Sequence, residues 1–161
     1  MCIRDRSTLR IEMGHVAGSE LDGRTIPYDN SLEGLVSKKK DFIGKRSLGK
    51  AAFTRPDREK IDGVVPLDKK TSIPEGSYLV KDPNAKLPNP KLGHVSASCW
   101  SVEYDNPFSL AIIKDGKNMI GKKLYALSPL KNKSIHVEIV SSHYVDPVSY
   151  THLTLPTIYS V

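Results

Sequence analysis

Short apolar runs separated by turn signals fill the chain from Ile61 onward, and this spacing restricts the fold more than any other feature. Runs of this length, bounded by Gly, Pro, Asp and Asn, are typical of strands in small antiparallel folds. We predict strands at 61–67, 77–81, 94–100, 109–114, 123–127 and 135–140. Six short strands in one stretch of chain predict a mainly β protein built on a small six-stranded antiparallel β-barrel.

Two strands carry more detailed expectations. Successive side chains of a strand point to opposite faces, so Val95, Ala97 and Cys99 should share one apolar face. The strand at 109–114 runs into Asp115-Gly116, a dipeptide that favours a tight hairpin turn.

The first part of the chain, residues 7–60, is richer in charge and glycine. Leu9–Glu12 alternates between apolar and charged residues, which predicts a short strand ending at Glu12. Asp41 precedes Phe42 in a pattern that predicts a helix with Asp41 as its N-cap. This change of composition divides the chain into a first region at 7–60 and a barrel region at 61–147.

The two ends of the chain can be encoded by reverse-complementary DNA. Met1–Asp5 can be written ATG TGT ATA AGA GAC, and Val148–His152 can be written GTC TCT TAT ACA CAT. An inverted repeat of this kind resembles the transposon-end adaptor of sequencing libraries. We therefore expect residues 1–6 and 148–161 to be translated adaptor, and residues 7–147 to be part of a longer protein.

Composition excludes several classes of function. The net charge of +6 favours anionic partners without choosing among them. No apolar run approaches the roughly 20 residues that cross a bilayer.

The two cysteines rule out a disulfide scaffold and a zinc site with three or four Cys ligands. The histidines do not have metal-ligand spacing, and we expect His94 to be hydrogen-bonded within the barrel. Dinucleotide-binding and Walker motifs are absent from the sequence.

Two groups of residues are candidates for binding. Glu12 stands beside Gly14 and Gly18, which predict a tight turn with close backbone approach, so its carboxylate can project into a cleft. A surface salt bridge is the simpler interpretation of Glu12. The run Lys38–Lys40 can attract a polyanion, although a solvated basic face is the simpler interpretation there.

Several blocks of sequence carry a resemblance that covers essentially all of residues 7–147. In the first half these are Arg10-Ile11-Glu12-Met13-Gly14-His15-Val16-Ala17-Gly18, Glu20-Leu21-Asp22-Gly23-Arg24-Thr25 and Ser37-Lys38-Lys39-Lys40-Asp41-Phe42-Ile43-Gly44. In the second half they include Gly63-Val64-Val65-Pro66-Leu67-Asp68, Ile73-Pro74-Glu75-Gly76 and Leu92-Gly93-His94-Val95-Ser96. Together these blocks resemble the aminomethyltransferase-like region of folate enzymes, and most of all the C-terminal part of heterotetrameric sarcosine oxidase alpha subunits.

The resemblance implies an α+β fold in which the end of a folate-binding domain precedes the barrel. It implies that Glu12 holds the pterin of tetrahydrofolate, and that Gly14, Lys38, Lys39 and Lys40 belong to the same folate site. A carboxylate suits this role because the 2-amino group and N3–H of a pterin form a paired donor edge. The family's acidic residue near folate N5 matches no position in this piece, so we assign no catalytic residue and no metal here.

The resemblance implies an enzyme that oxidises the N-methyl group of sarcosine. In such enzymes tetrahydrofolate captures the one-carbon unit while glycine is released. FMN, FAD and NAD would bind elsewhere in a hetero-oligomeric complex with other subunits. We expect a cytoplasmic protein without nucleic-acid or membrane partners, and no turnover by this piece alone.

Two alternatives stay open. The glycine-cleavage aminomethyltransferase and dimethylglycine dehydrogenase share the wider superfamily, but they usually have one more residue between the glycines that match Gly14 and Gly18. A basic β-barrel that binds nucleic acid is an alternative of another class. It would need aromatic and basic side chains interleaved on one face, whereas Tyr78, Trp100 and Tyr125 are scattered.

Overall fold

The structure, a computed structural model, describes residues 3–84 and 90–143, and for residues 3–5, 19 and 117 it describes the backbone alone. Its helices are α1 (Ile3–Glu12), α2 (Lys45–Leu48) and α3 (Ala51–Thr54). Its strands are β1 (Glu59–Pro66), β2 (Tyr78–Val80), β3 (Gly93–Ser101), β4 (Asn106–Lys114), β5 (Lys123–Ser128) and β6 (Lys133–Val140). All six predicted strands are present. Met1, Cys2 and the predicted adaptor segment 148–161 lie outside the described residues, whereas residues 3–6 belong to α1.

The six strands close into an antiparallel barrel in the order β1-β4-β3-β2-β5-β6, with β6 pairing back to β1. This confirms the mainly β fold and the predicted barrel. The closing contact pairs Val64 with Ile139 and Val65 with Glu138. Because the sheet closes on itself, each of the six described strands has a partner on both sides.

The predicted hairpin at Asp115-Gly116 is wrong. Strand β4 pairs with β1 and β3, while β5, the next strand along the chain, pairs with β2 and β6. Asp115 adopts a left-handed backbone (φ +55°) and precedes a 3₁₀ turn at Gly116–Asn118, which carries the chain to β5. An Asp-Gly pair favours a local turn, but pairing across the barrel decides which strand lies next to β4.

Buried apolar side chains form two clusters, one on each side of the barrel wall. The interior cluster draws on every strand, and its members are Val64, Ile73, Leu79, Val95, Ala111, Ile113, Met119, Leu124, Ala126, Ile135, Val137 and Ile139. The outer cluster joins Ile11 of α1 to Ile61, Val65, Ala97, Phe108 and Leu110. Helix α1 therefore covers the outside of the barrel over β1, β3 and β4.

A β-bulge in β3 overturns one sequence expectation. The register shifts between Val95 and Ala97, so the two side chains do not share a face. Val95 lies in the interior cluster, whereas Ala97 and Cys99 pack in the outer cluster beneath α1. The predicted common face of Val95, Ala97 and Cys99 is wrong because the extra residue at the bulge reverses the alternation.

The predicted strand at Leu9–Glu12 is the last part of helix α1. Four residues that alternate between apolar and charged are compatible with a strand or a helix. The exposure of the side chains distinguishes the two structures, because Leu9 is 48% exposed while Ile11 is 3% exposed. The two side chains therefore lie on different faces, as residues two apart do on a helix.

The predicted cap at Asp41 is also wrong. Helix α2 begins at Lys45, and the residue before it is Gly44 in a left-handed conformation (φ +96°). Asp41 instead forms an ion pair with Lys45 at 3.5 Å. Glycine at position 44 allows the chain to turn sharply after Ile43, which places the helix start after the glycine.

An ion pair between the partly buried Arg58 and the buried Asp29 ties the irregular segment before the barrel to β1. Arg58 Nε donates to Asp29 Oδ1 at 2.9 Å, and Arg58 Nη2 pairs with Asp29 Oδ2. Asp29 also accepts a hydrogen bond from Ile26 N–H on its side chain, and from Ile61 N–H of β1 on its carbonyl at 2.8 Å. The division into domains at residue 60 stays a prediction.

We predict that Arg58→Ala lowers the free energy of unfolding by about 3 to 5 kcal/mol, because it leaves the carboxylate of Asp29 buried without its cation. Arg55→Ala is the control, since the Arg55–Asp57 pair is exposed on both sides and should contribute less than about 1 kcal/mol. Urea denaturation measures both variants. Equal losses of stability would contradict the role of the Arg58–Asp29 pair.

Candidate functional site

Glu12 lies where α1 meets the barrel. It is the last residue of the helix and only 6% exposed. Its Oε1 accepts a hydrogen bond at 3.1 Å from the backbone N–H of Val102, which follows β3. The carboxylate is therefore held by a residue 90 positions away in the sequence, and it does not point into open water.

Exposed apolar groups adjoin this buried carboxylate. The side chain of Val102 is 82% exposed although its N–H is engaged by Glu12. Leu9 is exposed one helical turn before Glu12. Residues three apart are neighbours on a helix surface, so Leu9 and Glu12 lie side by side. A polar acceptor next to an apolar surface suits a flat ring with a hydrogen-bonding edge.

The thiol of Cys99 lies close enough to Glu12 for the carboxylate to affect its pKa. Burial, together with the smaller effect of the negative charge of Glu12, raises the pKa of Cys99 to about 12. Cys99 packs against the outer cluster that includes Ile11. A thiol with this pKa stays protonated at neutral pH and is therefore a poor nucleophile.

Gly14 has a structural reason to be glycine. The N–H of Gly14 bonds to Ile11 O and the N–H of His15 bonds to Arg10 O, which together end α1 in a Schellman motif. Gly14 adopts φ +67°, and a Cβ there would lie 2.6 Å from Ser142 O. The tight turn and close backbone approach predicted at Gly14 are both present. Its assignment to a folate site stays a prediction.

Glu20 is a buried residue whose role the sequence did not reveal. Its Oε2 accepts hydrogen bonds from Arg10 Nη1 at 3.2 Å and from Ala17 N–H at 2.8 Å. Arg10 also donates to the carbonyl of His15. These contacts fix the loop after α1 and so hold the end of the helix that carries Glu12.

The three candidate lysines are exposed and lie in a separate turn. The N–H of Lys40 donates to Ser37 Oγ, and Lys45 Nζ donates to the carbonyls of Lys38 and Lys40. Within residues 3–84 and 90–143, no hydrogen bond or ion pair joins these lysines to Glu12. The structure therefore brings Glu12 and Gly14 together and does not join the lysines to them.

Glu12, Gly14 and Lys38–Lys40 do not line any of four surface clefts of about 210 to 630 Å³ in the described part of the chain. The cleft beside the start of β1 measures about 540 Å³ and is lined mainly by charged side chains, including Arg24, Asp29, Arg58, Lys91, His94 and Lys114. Most of its carboxylates are paired: Asp22 with Arg24, Asp29 with Arg58 and Asp57 with Arg55.

His94 departs from the sequence expectation. Its Nδ1 is buried without a hydrogen-bond partner among the described residues. Burial lowers the pKa of His94, and the nearby charge of Lys91 lowers it further. The imidazole is thus favoured in its neutral form.

Two other features bear on function. Across residues 3–84 and 90–143, no three His, Cys, Asp or Glu side chains are grouped so that they could hold a metal ion. The described helices are all too short or too polar to cross a membrane.

We predict that Glu12→Gln lowers the pKa of Cys99, since it removes a negative charge that disfavours the thiolate. The rate of thiol modification against pH measures this in a Cys2→Ser background. Glu103→Gln is the control, because Glu103 is exposed and is not among the groups that shift Cys99. An unchanged profile for Glu12→Gln would place the carboxylate away from the thiol.

We also predict that stability falls as pH drops below the ordinary histidine pKa of 6.5. The unfolded chain takes up a proton at His94 in that range while the folded chain resists it, so protonation favours unfolding. Chemical denaturation between pH 7.5 and 5 should show a smaller loss for His94→Asn than for the unaltered chain. Equal slopes would contradict the lowered pKa.

Curated relatives match nearly the whole chain. It is 36% identical to sarcosine oxidase subunit alpha of Rhizobium meliloti over 143 residues, which are 88% of this chain and 14% of that protein. It is 34% identical over 142 residues to the same subunit of Corynebacterium sp. strain P-1, again 14% of its length. The chain thus spans about one seventh of these relatives. No protein-family model matches it.

A second group of relatives consists of aminomethyltransferases. The chain is 28% identical to that of a Synechococcus strain over 123 residues, which are 74% of this chain and 31% of that protein. The crystal structure of glycine cleavage system aminomethyltransferase T from Bartonella henselae superposes with a TM-score of 0.69 at 21% identity, over 87% of this chain and 38% of that one. That likeness shows the fold. The predicted resemblance is confirmed: the chain is homologous to one part of the sarcosine oxidase alpha subunits and, more distantly, to the aminomethyltransferases.

Proposed function

We propose that the chain is the tetrahydrofolate-binding region of a sarcosine oxidase alpha subunit. In this role it holds the carrier that takes up the one-carbon unit when sarcosine is oxidatively demethylated to glycine. The observation that carries the proposal is the buried carboxylate of Glu12, fixed by Val102 N–H beside an exposed apolar surface. The names of the relatives support the same activity.

The carboxylate of Glu12 has the chemistry to bind the donor edge of a reduced pterin, although it is only 6% exposed and lines none of the four clefts described above. The ring edge offers two parallel N–H donors, and each carboxylate oxygen accepts two hydrogen bonds. Oε1 already accepts one hydrogen bond from Val102 N–H. One further hydrogen bond to Oε1 and two to Oε2 can still be accepted from the donor edge of the pterin. The exposed side chain of Val102 offers apolar contact to the ring.

The contribution of this chain is binding and orientation. Tetrahydrofolate supplies the nitrogen that captures the one-carbon unit, and the chain fixes the ring through Glu12. Fixing a reactant near its partner lowers the entropic part of the barrier without proton transfer by the protein. We assign no catalytic residue to this chain and expect no turnover from it alone.

The exposed lysines suit the anionic end of the same ligand. Lys38, Lys39 and Lys40 are free of ion pairs among the described residues and would act on a glutamate tail as point charges. FMN, FAD and NAD would bind outside this chain, in a cytoplasmic complex with further subunits. The relatives are named as subunits, which supports a hetero-oligomer.

Two other functions are less well supported. A glycine-cleavage or dimethylglycine dehydrogenase type of enzyme would use the same pterin site, but the identity to sarcosine oxidase subunits is higher than to aminomethyltransferases. A nucleic-acid-binding barrel would need exposed rings for stacking. Tyr78, Trp100 and Tyr104 are exposed, whereas Phe108 is fully buried and Tyr125 stacks on His136 with a centroid distance of 4.6 Å, so only some of the aromatic rings are available for stacking.

We predict that Glu12→Gln weakens tetrahydrofolate binding by about 1 to 3 kcal/mol, the loss expected for a charge-assisted acceptor. The protein for this test is a hybrid subunit, in which residues 7–147 replace the matching region of the Rhizobium meliloti alpha subunit. Calorimetry measures the affinity, and Glu103→Gln is the control.

Equal affinity of the Glu12→Gln hybrid and the control would remove Glu12 from the site. Salt-dependent binding of single-stranded DNA by this chain, together with no folate binding by the hybrid, would instead favour the nucleic-acid alternative.

A further inference from the structure

The cleft of about 540 Å³ beside the start of β1, which we call the β1 cleft, has the outer face of the barrel as its floor. Lys114 lies opposite Glu59 in the pairing of β4 with β1, and Ile112 lies opposite His94 in the pairing of β4 with β3. Ile113 points into the interior cluster, so Ile112 and Lys114 on either side of it point outward. Strand register therefore fixes the floor of the cleft.

The wall of the β1 cleft is formed by the chain that precedes β1, and its arginines are already engaged. Arg58 donates to the carboxylate of Asp29, to the carbonyl of Ala52 at 3.3 Å and to the carbonyl of Arg24 at 3.0 Å. Arg24 in turn pairs with Asp22. These bonds hold the wall in place and use most of the donors of Arg58, so a ligand in the cleft has to be recognised mainly by other cations.

Two lysines reach the β1 cleft from neighbouring stretches of chain. The N–H of Lys114, at the end of β4, donates to the carbonyl of Leu92 at 2.8 Å, which brings Lys91 close to Lys114. Both lysines are exposed, and neither forms an ion pair within residues 3–84 and 90–143. Among the described lining residues, Glu59 is the one carboxylate outside an ion pair. The lining thus offers two lysines against one such carboxylate.

His94 lies in the positive field of these cations. Its Nδ1 is buried and has no hydrogen-bond partner in the described part of the chain. Burial has the largest effect in lowering the pKa of His94. The charge of Lys91 then lowers this pKa more than the charge of Glu59 raises it, and Arg24 lowers it as well. The charges around the imidazole therefore leave an excess that an anion would offset.

Size and charge restrict the kind of ligand. A volume of about 540 Å³ is within the range of small-molecule sites, which is roughly 300 to 1,000 Å³. A phosphate ester carries a charge of about −1.5 to −2 at pH 7 and three strongly accepting oxygens, so it can pair with two ammonium groups at once. Lysine binds phosphate as a point charge. Ile112 on the floor offers apolar contact to the remainder of such a molecule.

We propose that the β1 cleft binds the phosphate group of a small phosphorylated molecule through Lys91 and Lys114. Glu59 opposes the anion and limits its affinity. The site is independent of the proposed folate site, because Glu12 does not line this cleft.

Calorimetry of this chain with inorganic phosphate at neutral pH and low ionic strength tests the proposal. We expect Lys91→Gln and Lys114→Gln each to weaken binding about tenfold, the loss expected for one charge-assisted hydrogen bond. Glu59→Gln should strengthen binding, because it removes the opposing carboxylate. Lys123→Gln is the control, since Lys123 is exposed at the start of β5 and does not line the four clefts. All four side chains are exposed, so their substitution should leave the fold intact.

A second measurement follows the imidazole of His94 through the NMR resonance that His94→Asn removes. Phosphate should raise the pKa of His94, because a bound anion offsets the charges of Lys91 and Arg24. Lys91→Gln should raise this pKa in the absence of phosphate and should reduce the further rise when phosphate is added.

Equal affinities of Lys91→Gln and Lys123→Gln for phosphate would overturn the proposal. Acetate that binds as tightly as phosphate would also overturn it, as would a pKa of His94 that saturating phosphate leaves unchanged. Glu12→Gln should bind phosphate normally, and loss of phosphate binding in that variant would overturn the proposal by placing the anion at the folate site.

Discussion

The packing of Ile11 against the outside of the barrel is the contact on which the rest of the structure depends. Ile11 is buried among side chains of β1, β3 and β4, and burying such a side chain contributes about 1.5 to 3 kcal/mol. Glu12 follows it directly, so the apolar contact that seats α1 also draws a carboxylate into the protein. The desolvation that this costs is offset in part by the N–H of Val102. The position of the proposed pterin site is thus a consequence of a hydrophobic contact.

Helix α1 also explains why the strands differ in their pattern of buried and exposed residues. Strand β4 is buried along nearly its whole length, because one face points into the barrel and the other lies under the helix. Strands β5 and β6 have water on their outer face and alternate between buried and exposed residues. The continuous apolar run at Leu110–Ile113 therefore marks the side of the barrel that the helix covers. On the same side, Gly63 leaves room for the ring of Phe108, which a Cβ would meet at 2.6 Å.

The sequence predicted the strands well because each is a local pattern of apolar and turn residues. It did not predict features that depend on distant parts of the chain. The partner of β4, the contact between Glu12 and Val102 and the pairing of Arg58 with Asp29 all join residues far apart in sequence. The strand at Leu9–Glu12 was wrong for a different reason, because four residues are too few to separate the periods of a strand and a helix. Resemblance singled out Glu12, but only the structure shows how its carboxylate is held.

The β-bulge in β3 makes the length of that strand as important as its composition. Ala97 and Cys99 support α1 from the outer face, beyond the bulge. The pairing moves from Val95 opposite Ala111 to Ala97 opposite Leu110, so Ser96 is the one residue for which β4 has no partner. Removing Ser96 would leave Ala97 and Cys99 on the outer face of a regular strand, whereas removing a residue between Ala97 and Val102 would turn the residues that follow to the opposite face. Beyond the bulge, a deletion would therefore move the N–H of Val102 away from Glu12 without changing either residue.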